Sequence, residues 1–163
     1  MHIEQGRYLL DADKPFSIVS CVAGIKQFYL HFHGTAAHAG GMAMSDRHDA
    51  LAAAAAVISA VENLAKECSK DTRGTVGYIS VLPCEHNIIP EDVTISVDFR
   101  ETEDMKWEKL YTDLIEVTKQ ECAKRGLSWT VETTCDLRPA HCAPELIHIL
   151  EEAASEPDLR KTE

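Results

Sequence analysis

From Gly24 onward the chain alternates between two hydrophobic periods. Residues 25–33 (IKQFYLHFH) set Phe28, Leu30 and Phe32 on one side and Tyr29, His31 and His33 on the other, the two-residue period of a half-buried strand. The period then lengthens. Leu51, Ala54, Ile58, Val61 and Ala65 recur at helical spacing, which predicts a helix that Ser45 or Asp46 can cap and that runs to about Cys68. Its many alanines favour helix and permit close approach to a sheet. Residues 75–82 (TVGYISVL) predict a second strand, followed by a loop from Pro83 to Pro90. In 93–99 (VTISVDF) the alternation is clean, with Val93, Ile95, Val97 and Phe99 on one face and Thr94, Ser96 and Asp98 on the other. A second helix is expected from about Glu103 to Lys124, with Trp107, Leu110, Leu114 and Val117 inward and Gly126 as its C′ residue. A last strand over 127–133 should bury Leu127, Trp129 and Val131. The order β-α-β-β-α-β predicts an α+β fold: a two-layer, ferredoxin-like sandwich of a four-stranded antiparallel sheet with both helices on one face. Residues 1–23 and a tail with a third amphipathic helix over about 143–154 lie outside that order. Glu156–Glu163 is polar and adds no element, so both ends are expected to be cut rather than finished.

Composition narrows the partners. The 163 residues are 45% hydrophobic and 26% charged, as in a globular domain with a real core. Sixteen basic against 27 acidic residues give a net charge of −11, which argues against nucleic acid and against an anionic membrane as partners. The longest apolar run, Ala50 to Val61, is too short to cross a bilayer, and residues 1–6 (MHIEQG) have neither the basic nor the apolar part of a signal peptide. Six cysteines without a C-x-x-C pair predict free thiols in a reducing compartment, and the expected location is the cytoplasm.

Three blocks carry candidate chemistry: His2-Ile3-Glu4-Gln5-Gly6; Gly34-Thr35-Ala36-Ala37-His38-Ala39-Gly40 with Met44, Arg47 and Asp49; and Asn87-Ile88-Ile89-Pro90 leading to Asp98-Phe99-Arg100. Together, and in this order, they resemble the binuclear-metal N-carbamoyl-amino-acid amidohydrolases, a group that includes allantoate amidohydrolases and β-ureidopropionases within the aminoacylase and carboxypeptidase metallopeptidase superfamily. The resemblance covers essentially the whole chain. It implies a lid, or dimerisation, domain over 24–137. Residues 1–23 would arrive from a catalytic domain, and 138–163 would return to it and begin one of its helices. The chain is then expected to be a fragment, itself inactive, of an enzyme of about 400 residues, beyond the usual size of one domain. That enzyme would bind two divalent ions, zinc or manganese, act on a small ureido or amide substrate and form a homodimer through the lid. Its metals would activate a bridging water, with a glutamate outside this chain as general base.

Residue by residue, the resemblance makes His2 a metal ligand, although one imidazole cannot hold a catalytic ion that needs at least three protein ligands. Gln5 falls near the ureido group, which an amide can both donate to and accept from. His38 is offered as the catalytic donor to the oxyanion of the tetrahedral intermediate. Asn87 and Arg100 match the pair that binds the substrate carboxylate, an arginine fork suiting bidentate recognition; an ordinary surface ion pair of Arg100 with Asp98 is the competing reading. After Gly40 the family usually has Thr-Thr-Pro-Met or a close variant. Here Gly41-Met42-Ala43-Met44 lacks the proline and both hydroxyls, which predicts a looser loop. His31 and His33 form an H-x-H pair best read as an exposed or interface face, and Arg47 and Asp49 as supports of the loop-to-helix junction. Two alternatives stay open: the lid of an aminoacylase- or dipeptidase-type metallopeptidase, and a stand-alone ferredoxin-like binding or dimerisation module.

Overall fold

The computed structural model describes residues 2–155, so the reading of Glu156–Glu163 lies outside the described residues. The chain divides into two compact units, Ala23–Pro139 and a second made of the flanks up to Val22 and from Ala140.

In the flanks, a single-turn helix α1 (Tyr8–Asp11) has the Glu4 carboxylate accepting from the backbone N–H of Tyr8 and Leu9, at 2.7 and 2.9 Å. Strand β1 (Cys21–Val22) closes this part of the chain. The larger unit runs through β2 (Gly24–His33), β3 (Ala37–His38), a 3₁₀ turn at Met44–Asp46, α2 (Ala50–Cys68), β4 (Arg73–Thr75), β5 (Ile79–Leu82), β6 (Ile88–Ile89), β7 (Asp92–Glu101), α3 (Asp104–Arg125) and β8 (Ser128–Leu137). The chain then pairs β9 (Ala140–His141) antiparallel with β1, Val22 opposite Ala140, and ends in α4 (Pro144–Ala154). Where the larger unit begins and ends, a Cβ on Gly24 would stand 2.6 Å from the Pro139 ring, so only glycine lets the incoming and outgoing strands lie this close.

The sheet is antiparallel, in the order β8, β2, β7, then β4 and β5 both on β7. With the first helix between its first and second strands and the second between its third and fourth, this is the ferredoxin-like topology that the hydrophobic pattern predicts. Phe28, Leu30 and Phe32 of β2 and Val93, Ile95, Val97 and Phe99 of β7 meet Ala50, Ala53, Ala54, Val57 and Val61 of α2 and Leu110, Leu114 and Cys122 of α3 in one core. Gly126 ends α3 in the left-handed conformation, at φ 64°.

Three details differ from the pattern-based expectation. The predicted 75–82 strand is two strands. From Thr75 opposite Asp98 to Ile79 opposite Ile95 the edge advances four residues while β7 advances three, a bulge built around Gly77. Helix α2 starts later than expected. Ser45 and Asp46 sit in the 3₁₀ turn, and the cap is Asp49, whose Oδ1 accepts from the Ala52 N–H at 2.9 Å. The last strand continues to Leu137, and Val131 stays 39% exposed because β8 is an edge strand.

Candidate functional site

His38 and Asn87 come together at one end of the sheet. Strands β3 and β6 pair His38 with Ile88, and the Ala39 N–H donates to the Asn87 carbonyl at 2.8 Å. Both side chains are exposed. The Gly40 N–H donates to Nδ1 of His38 at 3.2 Å. That nitrogen therefore carries a lone pair, and in the neutral ring the proton sits on Nε2, pointing a donor away from the loop. The loop that holds the ring is tied down although it has no proline. Gly41 and Met42 donate to the His38 carbonyl at 3.0 and 3.1 Å, and the Arg47 guanidinium donates to the carbonyls of Ala39 (2.5 Å) and Met42 (3.1 Å). At its base Gly34 lies against His48 so closely that a Cβ would fall 2.0 Å from that residue's carbonyl oxygen.

Arg100 lies at the other end of β7. Its Nε and Nη2 donate to the two oxygens of Asp98 at 3.1 and 3.2 Å, and Gln27 Nε2 donates to Asp98 Oδ2 at 2.7 Å. Burial would raise the Asp98 pKa, but the bonds from Arg100 and Gln27 prevail and hold it below the usual carboxylate range; Asp98 in turn raises that of Arg100. The guanidinium is therefore both an ion-pair partner and an oriented cation on the outer face of the sheet, opposite the helices.

Within one copy of the domain the fold does not bring Asn87 and Arg100 together. Asn87 adjoins the start of β7, where Asp92 pairs with His33, whereas Arg100 pairs with Ile25 near its end. Eight residues of strand separate Asp92 from Arg100, about 26 Å at the usual rise. One copy of the domain brings together His38 and Asn87, and places Arg100 apart from both.

In the flanks, His2 and Gln5 are exposed. His2 Nδ1 contacts the Ile3 carbonyl at 2.5 Å, and as its donor leaves Nε2 as the ligand-type nitrogen. Among the described residues no three His, Cys, Asp or Glu side chains gather as a metal site would require. One imidazole does not fit a catalytic ion. The H-x-H pair is likewise divided: His33 Nδ1 meets Asp92 Oδ1 at 2.7 Å, and His31 Nδ1 meets Thr94 Oγ1 at 3.0 Å.

Two features escaped the sequence reading. The first is Gln27, the support behind Asp98; on the outward parity of β2 it had no visible partner until the register was known. The second is Glu101, 1% exposed at the end of β7. Its carboxylate accepts from Thr72 Oγ1, from Ser69 Oγ at 3.0 Å, and from the backbone N–H of Thr102 and Glu103 at 2.7 and 3.2 Å. It joins the turn after α2 to the start of α3. An available signal was its parity with Val97 and Phe99.

The fold and these clusters can be set beside known proteins. Residues 22–126 match the family model described as "Peptidase dimerisation domain". The chain belongs to that family. This dimerisation domain and its flanks are 39% identical, over 96% of the chain and 38% of the relative, to the N-carbamoyl-L-amino-acid amidohydrolase of Pseudomonas sp. (strain NS671). They are 34% identical to Allantoate deiminase 1 of Glycine max, over 94% of the chain and 36% of that protein. Among solved structures, an amidase of the hydantoinase/carbamoylase family from Burkholderia multivorans superposes with a TM-score of 0.87 at 31% identity, covering 94% of this chain and 37% of that one. The resemblance drawn from the three sequence blocks thus holds. The chain spans little more than a third of the length of the curated relatives it matches.

Proposed function

We propose that the dimerisation domain is the lid of a hydrolase that cleaves a C–N bond of N-carbamoyl amino acids, ureidopropionate or allantoate-like ureido acids. The protonated Nε2 of His38, held by the Gly40 N–H, carries the proposal. It is a fixed donor that meets the developing oxyanion, a contact worth about 3 kcal/mol of barrier. Asn87 beside it adds an amide, Arg100 binds the substrate carboxylate, and Gln5 contacts the ureido group. His2 ligates one of two divalent ions, zinc or manganese, otherwise held by parts of the enzyme outside this chain. By itself the chain is inactive. Its 24–137 segment is the lid, with 1–23 and 138–163 as the crossings to and from a catalytic domain. Six cysteines outside any disulfide accord with a cytoplasmic enzyme.

A ureido acid is far shorter than the roughly 26 Å between the two clusters. In a homodimer, each substrate therefore meets His38 and Asn87 of one copy and Arg100 of the other. The test mixes full-length His38→Ala and Arg100→Ala subunits, each nearly inactive. A mixed dimer regains one intact site of its two, so activity returns on subunit exchange. If all three residues came from a single copy, every site in the mixture would lack one of them. A mixture that stays inactive despite proven exchange would falsify the shared site.

A further inference from the structure

Gln27 stands on the central strand of the sheet, where β2 is paired with β7 on one side and with β8 on the other. Its direct partner across the ladder is Asp98, and residues opposite one another in an antiparallel pair project to the same face. An ionised carboxylate only accepts, so the Gln27 amide turns its NH2 toward Asp98, and Nε2 donates to Oδ2 at 2.7 Å. Desolvation counts against the charge on Asp98, but the bonds from Arg100 and Gln27 prevail and keep it ionised. Asp98 in turn accepts from Nε and Nη2 of Arg100 at 3.1 and 3.2 Å. This side-on pair uses one hydrogen of Nη2. Both hydrogens of Nη1 and the other of Nη2 make up the end-on fork, which suits a carboxylate. The Arg100 side chain is 50% exposed, so a ligand can reach the fork from the outer face of the sheet.

Asp98 and Arg100 lie two residues apart on one strand, and alone they could swing together, because the carboxyl torsion of an aspartate is broad. The Gln27 bond is the shortest of the three and comes from a different strand. It fixes the carboxylate, and the carboxylate fixes the fork. A long cationic side chain that is already ordered loses less rotamer freedom when a ligand binds. We propose that Gln27 is a positioning residue for carboxylate recognition: by holding Asp98 it presents the Arg100 fork to the α-carboxylate of an N-carbamoyl amino acid. The inference rests on Arg100 as the carboxylate-binding residue. Gln27 acts through Asp98 and Arg100 and needs no contact with substrate. An acid in its place would repel Asp98 across the ladder and compete with it for Arg100.

The experiment assays the full-length protein on N-carbamoyl-alanine, unsubstituted and as Gln27→Met, Arg100→Gln and the double variant. Gln27→Met keeps the side-chain length and removes the donor; it should raise KM roughly fivefold with kcat within about twofold. Arg100→Gln should raise KM further. In the double variant, Gln27→Met should add less than about twofold to the loss of kcat/KM that Arg100→Gln already causes, since nothing is left to position. Gln27→Glu should raise KM at least as much as Gln27→Met, and it supplies the test should Gln27→Met not fold. If neither Gln27 variant raises KM, if the loss persists undiminished in the Arg100→Gln background, or if it falls on kcat, the proposal is wrong while Arg100 keeps its role. If Arg100→Gln leaves KM unchanged, the role of Arg100 fails and that of Gln27 with it. No cleavage of N-carbamoyl-alanine by the unsubstituted protein would overturn the proposal together with the substrate class it names.

Discussion

Glu101 is a charged side chain at a strand position whose parity demands an aliphatic one. Desolvation would raise its pKa, but the hydrogen bonds from Thr72, Thr102, Ser69 and Glu103 outweigh that and lower it from 4.5 to about 2. A carboxyl whose pKa falls on folding stabilises the fold fully above its unfolded value. It loses that contribution as pH drops through the folded value, so the window here is from about 4.5 down to about 2. The amount at stake is about 3 kcal/mol. Thermal melts across this range should show the decline, and Glu101→Gln should both destabilise the domain and flatten it. An unchanged pH profile would show that the carboxylate is not anionic in the fold. Gly34→Ala should cost about 1–3 kcal/mol by overpacking against the His48 carbonyl, measured by denaturant titration. The sequence made His38 and Arg100 legible as residue types. It could not show the Gly40 bond that selects the His38 tautomer, because that depends on the local turn.

Among the elements, the two edges of the sheet differ in character. Strand β5, the edge on one side, exposes Ile79 and Leu82, with Tyr78 just before it. Strand β8, the edge on the other, exposes Val131 and Leu137 as well, but interrupts them with Glu132 and Asp136 and with Ser128, Thr130 and Thr134. Charges along an edge discourage strand pairing, whereas an apolar edge invites it. Dimers should therefore form through the β5 side. Ile79→Lys should shift the full-length protein toward monomer in light scattering, and Thr130→Lys should leave it dimeric; the reverse result would assign the interface to β8. Strands β2 and β7 and both long helices were legible because each repeats its period over seven residues or more. The β4–β5 bulge was not. A single extra residue leaves the hydrophobic alternation nearly intact, and only pairing with β7 exposes it. The opposite placement of Asn87 and Arg100 was latent in the sequence, since a strand over 93–99 already implies their separation once its rise is counted.

At the scale of the molecule, apolar surface is unevenly covered. The larger unit holds every buried hydrophobic residue of the core. The flanks leave Ile3, Tyr8, Leu10, Val19, Leu146, Ile149 and Leu150 more than half exposed. A segment with its own core should fold alone. Residues 23–139 are expected to unfold in one cooperative transition without added metal, followed by circular dichroism. Loss of that transition on removing the flanks would show that the core depends on them. No helix among the described residues is long and apolar enough to cross a membrane.

The close approach of Gly24 and Pro139, with Val22 opposite Ala140 in the β1–β9 ladder, makes the larger unit a detachable cassette. Its two ends leave and re-enter the flanking segments almost at one point. Closing a gap that narrow takes little chain entropy, so the flanks could gain or lose these 117 residues without redrawing their own path. An Asn-Gly dipeptide placed between Val22 and Ala140 would turn the two short strands into an ordinary hairpin. An engineer could use the same doorway to graft a different domain between the flanks, or to leave the doorway closed.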